Sequence, residues 1–269
     1  MQILSFDIGG TKIAYALVDE NGRVLTNVQT VPTPKSADEI IRIFKKTTMK
    51  YTYERAALAT AGVVFNGKLQ GKPNNLPSGY ENLEFGDILK TPFLIENDAN
   101  AALWAEYKIG SLRGVQNGIM LTLGTDTGCG IICDGRILRG KCGATGEVSF
   151  PFSGRDLKRF GAQYNVAESD CFKIYELARQ GYESARKAYY AWEENLISGL
   201  KLLNGLLDTE VFVLSGSLSK IVDYAKVSTA LSLLQPRNPA MVKPALCGTN
   251  AGLIGAALLC AESTVHKDF

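Results

Sequence analysis

The sequence predicts an α/β protein of two lobes, and three observations carry that prediction. Apolar strand-like runs alternate with helix-period segments along most of the 269 residues. A strand, Gly/Thr turn, strand unit opens the chain over residues 3–18, and a second recurs over 118–132. A chain of this length buries a sizeable core and divides most naturally into two bodies.

Strand signals run through 2–7, 13–19 and 23–31, with Glu20-Asn21-Gly22 turning the second into the third. Ser36-Ala37-Asp38-Glu39 reads as a capping box, and the helix after it places Ile40, Ile41 and Phe44 on one face. Residues 56–59 read as a short strand ending at Thr60-Ala61-Gly62. The segment 66–86 is rich in Gly, Pro and Asn and long for a connection, which favours a functional loop. Residues 93–95 read as a buried strand, and Asn97-Asp98 opens an Ala-rich helix through Lys108.

The second lobe starts past Gly114 with the 118–132 hairpin and a turn at Asp134-Gly135. Residues 170–181 and 184–207 read as helices; on the second, Trp192, Leu196, Leu200, Leu203 and Leu207 recur at core spacing. Strand 211–214 with helix 217–225 makes a βα unit, 242–246 a last strand, and 252–260 a last buried helix. The expected lobes are therefore 1–113 and 114–248, with helix 249–262 packing back on the first.

Composition excludes several classes. Apolar content of 46% and charged content of 21% are those of a globular protein. A net charge of +2 supplies no field for nucleic acid or membrane. Lys45-Lys46 and Arg155 to Arg159 read as solvated helix faces. No apolar run approaches the roughly 20 residues that span a bilayer, and Asp7 interrupts the apolar start, unlike a signal peptide. Six cysteines, at 129, 133, 142, 171, 247 and 260, form no Cys-x-x-Cys pair and suit reduced thiols in a cytoplasmic protein. The single histidine, His266, is in a polar tail. No Ser-His-Asp triad or His metal site is expected in the core, so acid–base chemistry falls to a carboxylate, Lys, Tyr or Cys.

Asp7-Ile8-Gly9-Gly10-Thr11-Lys12 is the richest segment. Two glycines at a reversal let the backbone approach a ligand. The Thr11 hydroxyl, the Lys12 cation and clustered amides can hold phosphate. A carboxylate beside such a cradle, here Asp7, works through Mg²⁺. The same pattern also fits a tight hairpin with an ordinary Asp. Leu123-Gly124-Thr125 is a second such turn, and Ser215-Gly216-Ser217 ends a buried strand where a base or ribose could pass. None is a P-loop of the Gly-Lys-Ser/Thr type; their order is the stronger signal.

Taken in order, these residues resemble the ROK family (repressors, open reading frames, sugar kinases) of the actin-like ATPase (ribonuclease H-like) fold, over nearly the whole chain. Asp7 to Lys12 looks like its first phosphate motif and Leu123-Gly124-Thr125 like its second. Glu96-Asn97-Asp98-Ala99-Asn100-Ala101-Ala102 is similar to its catalytic segment and is the most specific piece. Gly143-Ala144-Thr145-Gly146-Glu147 resembles the start of its sugar-contact motif, Leu214-Ser215-Gly216-Ser217 its adenosine element, and Gly252-Leu253-Ile254-Gly255-Ala256-Ala257 its C-terminal helix. The resemblance implies glucokinase-like phosphoryl transfer from ATP with Mg²⁺ to a hexose or hexosamine-type hydroxyl, in a cleft between the lobes of a homodimer. It implies Asp98 as general base. Gly62, Asn97, Asp98 and Glu147 would contact the sugar. Asp7, Gly9, Gly10, Thr11, Lys12, Gly124, Thr125 and Gly216 would serve Mg-ATP, with Asp7 on the metal. The chemistry agrees, because an attacking hydroxyl loses its proton and an Asp accepts it in kinases of other folds. Without the resemblance, Asn97-Asp98 reads as a plain helix cap.

The departures are equally specific. The family's sugar motif runs Gly-Glu-x-Gly-His, whereas this chain has Gly146-Glu147-Val148-Ser149-Phe150. Phe150 stands where a sugar- and zinc-binding His is usual, and the Cys-rich loop is absent, so no zinc is expected. Phe150 is expected to be buried and to fill volume. For a later sugar-contacting Glu, the chain offers Asp156, Lys158 or nothing. Asp126 replaces a usual Gly and reads as a turn residue pointing outward. The alternative is a catalytically weak or inactive sugar- or nucleotide-binding regulatory protein; intact Asp7 and Asp98 weigh against it. Family repressors carry a helix-turn-helix before the first strand, and because this chain begins directly with that strand, DNA binding is not expected.

Overall fold

Two five-stranded sheets share one topology in the computed structural model, which describes residues 1–263. His266 lies outside the described residues. Among the described residues, one unit comprises Met1–Arg113, Ile137–Thr145 and 249–263; the other comprises Gly114–Arg136 and Gly146–Gly248.

In the first unit, β1 (Gln2–Ile8) pairs antiparallel with β2 (Lys12–Asp19), and β2 with β3 (Gln29–Pro32). Helix α1 (Ala37–Thr48) follows, its Ser36 cap accepting from the Glu39 N–H and its Ile40 and Phe44 buried. Strand β4 (Arg55–Thr60) lies parallel to β1. The long 66–86 segment contributes to a small hairpin of β5 (Val64–Phe65) and β6 (Lys68–Leu69), a 3-10 turn at Tyr80–Asn82 and the start of α2 (Phe85–Leu89). Strand β7 (Phe93–Asn97) pairs parallel with β4 and runs into α3 (Asp98–Ile109). The order is β3-β2-β1-β4-β7.

The second unit repeats the pattern with β8 (Gly118–Leu123), β9 (Thr127–Cys133) and β10 (Arg136–Ile137). Helices α4 (Gly154–Gln163), α5 (Cys171–Arg179) and α6 (Glu183–Leu207) precede β11 (Val211–Ser215). A 3-10 turn at Ser217–Ile221, α7 (Tyr224–Ser232) and β12 (Met241–Pro244) complete it. The order is β10-β9-β8-β11-β12, so in each sheet the first strand pairs antiparallel with the second and parallel with the fourth. Each Gly/Thr turn joins the first and second strands of its own sheet.

The differences from the sequence reading have local causes. The strand expected over 23–31 is regular only from Gln29. The Thr26 hydroxyl oxygen accepts the Leu17 N–H at 3.1 Å, a bond the ladder would otherwise make. The helix expected over 217–225 is a 3-10 turn, and α7 begins where Asp223 caps it by accepting from the Lys226 N–H. Helix α4 carries the Arg155 to Arg159 stretch read as a solvated helix face, and it starts at a capping box in which Ser153 and Asp156 satisfy each other's backbone N–H groups.

Helix α8 (Ala251–Glu262) belongs to the first unit, and over residues 251–258 it is apolar on every face and buried on every face. Arg55 donates to its C-terminal carbonyls, at 2.9 Å to Cys260 and 3.1 Å to Ser263. A Cβ at Gly255 would overlap the Ala101 carbonyl of α3, so only glycine lets these two helices approach so closely. Because α3 starts at Asp98, this contact fixes the helix that carries the candidate base. Gly255→Ala should lower unfolding stability by about 1–3 kcal/mol, as overpacked cores do. Denaturant unfolding checks it, and an unchanged midpoint would show that α3 and α8 separate at no cost.

Candidate active site

The first Gly/Thr turn is closed by the Gly9 N–H donating to the Lys12 carbonyl at 3.0 Å. Thr33 secures it from outside, its hydroxyl donating to the Gly9 carbonyl at 2.6 Å and its N–H to the Thr11 carbonyl at 3.1 Å. A Cβ at Gly10 would lie 2.5 Å from the Asn75 Cβ and 2.7 Å from its carbonyl oxygen, so the long loop leaves room for glycine alone. Thr11 and Lys12 stay exposed. Asp7, at the end of β1, is half-buried, and burial pushes its carboxyl up to about 6 against the opposing pull of Lys12. A Cβ at Gly252, in the first turn of α8, would sit 2.9 Å from Asp7 Oδ2. A carboxyl held back from ionising by burial, beside a cation, a hydroxyl and a glycine-lined turn, fits Mg²⁺-bound phosphates.

The catalytic segment divides its labour between two residues. Asn97 is the cap of α3: its Oδ1 accepts the Asn100 N–H at 3.1 Å, and its Nδ2 donates to the Gly62 carbonyl at 3.0 Å. Gly62 has φ +100, and a Cβ there would meet Pro73 Cγ at 2.8 Å. Asp98 is thereby left at the first helical position, half-buried, with its Oδ1 accepting the Ala99 N–H at 2.8 Å. Burial holds the neighbouring Tyr80 hydroxyl well above its ordinary range, and the Asp98 charge adds to that rise. Tyr80 shares a 2.8 Å hydrogen bond with the Thr60 hydroxyl. Gly62, Asn97 and Asp98, expected to act together, are thus neighbours within one unit.

Glu96 precedes them and is only 4% exposed. Its Oε1 accepts from the Asn97 N–H at 3.0 Å and from Asn100 Nδ2 at 3.3 Å. Its Oε2 accepts from Arg139 Nε at 3.2 Å and Nη2 at 2.5 Å. Sequence reasoning missed Arg139. The available signal was indirect: a Glu in a buried strand end requires a cation, because an unpaired buried charge is costly.

The second unit gathers the rest. Its turn is shaped by the Gly124 N–H donating to the Asp126 carbonyl at 3.1 Å and the Gly128 N–H to Thr122 Oγ1 at 3.1 Å. Thr125 is exposed, and the Thr127 hydroxyl is buried without a hydrogen-bond partner. Asp126 points outward and pairs with Arg155 at 3.0 Å. Gly216, with φ +82, brings the end of β11 so close to Leu123 that a Cβ would overlap its carbonyl. Gly146, with φ +91, is pressed in the same way against the Cys129 carbonyl. Glu147 follows it and is exposed. Burial, aided by the Glu147 charge, pushes the Cys129 thiol up to about 12, so it is an inert core thiol.

Phe150 is 8% exposed and stacks on Phe152 with ring centroids 4.9 Å apart. The Phe152 carbonyl accepts from Trp192 Nε1 at 2.7 Å, and its ring lies against Gly199, where a Cβ would overlap it. Phe150 therefore fills volume beside an aromatic core. Asp156 is committed to capping α4: Oδ2 accepts from the Ser153 N–H at 2.9 Å and hydroxyl at 2.6 Å, while Oδ1 accepts from Arg159. Lys158 is exposed. Among the described residues, no group of three or more His, Cys, Asp or Glu is placed to hold a metal ion.

The fold is that of ROK sugar kinases with the actin-like ATPase architecture. The ROK family matches residues 3–150 and 151–263, and this chain belongs to that family. An N-acetylmannosamine kinase of Escherichia coli O6:H1 is 33% identical over 291 residues, covering 96% of this chain and 98% of the relative. A ROK family glucokinase from Streptomyces griseus, solved with glucose and AMPPNP, is 27% identical with a TM-score of 0.80, covering 98% of this chain and all of that one (100%). A ROK hexokinase from Thermus thermophilus is 26% identical with a TM-score of 0.81, covering 96% and 97%. Among the described residues, no helix is long and apolar enough to cross a membrane.

The Asp7 geometry has a measurable consequence. Its carboxyl is raised from 3.8 to about 6, so the fold resists its ionisation. That sign means the ligand-free protein keeps this stability below about pH 4 and loses it as pH rises through about 6. Asp7→Asn should therefore stabilise the ligand-free protein at neutral pH, by on the order of 2–3 kcal/mol, with the gain vanishing in acid. Thermal unfolding across pH checks this; a loss of stability at neutral pH would contradict it.

Proposed function

We propose that this protein is an ATP-dependent sugar kinase, transferring the γ-phosphoryl group of Mg-ATP to a hydroxyl of a hexose or hexosamine-type sugar. The observation that carries the reading is that Asn97 takes the helix cap and leaves Asp98 half-buried at the head of α3. The names of the curated relatives make an N-acylhexosamine the first substrate to try.

Asp98 accepts the proton of the attacking hydroxyl as the new O–P bond forms, a role worth about 10²–10⁴-fold. Asn97 retains one amide hydrogen and one oxygen lone pair beyond its two hydrogen bonds, enough to orient a sugar hydroxyl. The Gly62 carbonyl and the exposed Glu147 carboxylate are further acceptors for sugar hydroxyls. Asp7 would hold Mg²⁺, which supplies charge neutralisation on the phosphates. Gly9, Gly10, Thr11 and Lys12 would hold phosphates on one turn, Gly124 and Thr125 on the other, and Gly216 would lie under the adenosine. A second reading, a sugar- or nucleotide-binding regulatory protein with weak catalysis, draws on Phe150, whose ring cannot make a hydrogen bond to a sugar.

A coupled ADP-release screen over glucose, mannose, glucosamine, N-acetylglucosamine and N-acetylmannosamine separates the two. The kinase reading expects sugar-dependent ADP release with at least one of them. It also expects Asp98→Asn to cut that turnover by about 10²–10⁴-fold with nucleotide affinity nearly intact, since the amide keeps the shape but not the basicity. Nucleotide binding without sugar-dependent release across the panel would favour the regulatory protein.

A further inference from the structure

We propose that Arg155 is the phosphate-binding cation of the second Gly/Thr turn, with Asp126 holding its guanidinium over that turn. The inference rests on the nucleotide reading above and adds a residue to it.

The turn from Gly124 to Thr127 contains no cation, and its one charged group, Asp126, would repel phosphate. The first turn has no such deficit, because it carries Lys12. Arg155 comes from α4, and its position there is fixed. Its N–H donates to the Thr125 carbonyl at 3.3 Å, and the preceding Gly154 N–H donates to the Gly124 carbonyl at 2.8 Å. A Cβ at Gly154 would lie 2.8 Å from that same Gly124 oxygen, so glycine alone permits the approach. The Ser153–Asp156 capping box locks the helix start. The Arg155 side chain then reaches round the turn to Asp126, 3.0 Å from Nη2 to Oδ2.

Stability does not account for this arrangement. The two side chains are 65% and 52% exposed, and ion pairs that open to solvent contribute little. What the pair does is cancel the Asp126 charge and aim a planar fork of donors at the turn. A guanidinium has five N–H donors, and one contact to Asp126 leaves the others for phosphate oxygens. A lysine in its place would keep the charge and lose the fork.

Four variants test the proposal: Arg155→Ala, Arg155→Lys, Asp126→Asn and Arg155→Ala with Asp126→Asn. Dissociation constants for ATP, ADP and AMP are measured by calorimetry, alongside KM for ATP and for the accepted sugar. Arg155→Ala should weaken ATP and ADP by about 10-fold, the scale of a charged hydrogen bond, while AMP, the sugar KM and Tm hold steady. Arg155→Lys should recover part of the loss. Asp126→Asn keeps an oxygen for the arginine and removes the repulsion, so ATP should bind as well or better. The double variant should bind ATP more tightly than Arg155→Ala alone. Unchanged ATP affinity in Arg155→Ala would overturn the proposal. So would weakened ATP binding in Asp126→Asn with Arg155→Ala silent, which would place Asp126 on the metal. Because binding is read separately from turnover, a protein without kinase activity would sink the functional reading while still deciding the role of Arg155.

Discussion

Glu96 is a carboxylate almost withdrawn from water at the end of β7, and the candidate site depends on how that charge is satisfied. A buried charge with a missing partner costs several kcal/mol, about 3–5 where such pairs have been broken. Four donors prevent that cost: two from Arg139, the Asn97 N–H and Asn100 Nδ2. The consequences reach every candidate catalytic group in this unit. Holding the Asn97 backbone sets its side chain to cap α3 and reach Gly62. Once Asn97 is the cap, Asp98 occupies the first turn of the helix. Arg139 also anchors the 137–145 segment to the first unit, and the chain continues from there into Gly146 and Glu147.

Much of this fold was legible in the sequence because its strongest signals are local. The two Gly/Thr turns mark hairpins, and both are hairpins at matching places in their sheets. The all-apolar run at 251–261 announces a buried helix, and α8 is one. The misses are places where a side chain replaces a backbone partner. Thr26 interrupts β3 by taking the Leu17 N–H, and Asp223 starts α7 late by accepting the Lys226 N–H. Arg139 and Glu96 lie 43 residues apart, and neither local pattern nor spacing pairs them. Nor does the dipeptide Asn97-Asp98 say which residue caps; only the hydrogen bonds separate cap from candidate base. The outward Asp126 was readable as a turn residue, but no local pattern pairs it with Arg155 of α4.

The carboxylates of this protein follow two different rules. Asp156 and Asp223 are spent on helix caps and are local structural devices. Asp7 is held in a conformation that raises the free energy of its charged form. Such a placement lowers the stability of the ligand-free state and is favourable once a cation is present, the trade that functional sites often make. Phe150 shows the complementary case, an apolar ring stacked on a core aromatic, which stabilises the fold and offers no hydrogen bond to a ligand.

The central claim, that the Glu96 network delivers Asp98 to a sugar hydroxyl as its base, is tested most directly by a crystal structure of the protein with an accepted sugar and a non-hydrolysable ATP analogue. The account predicts an Asp98 carboxylate oxygen about 2.6–3.2 Å from the hydroxyl that turnover phosphorylates, with Asn97 still capping α3. A sugar whose reacting hydroxyl is attended by another carboxylate, with Asp98 turned away from it, would contradict the account.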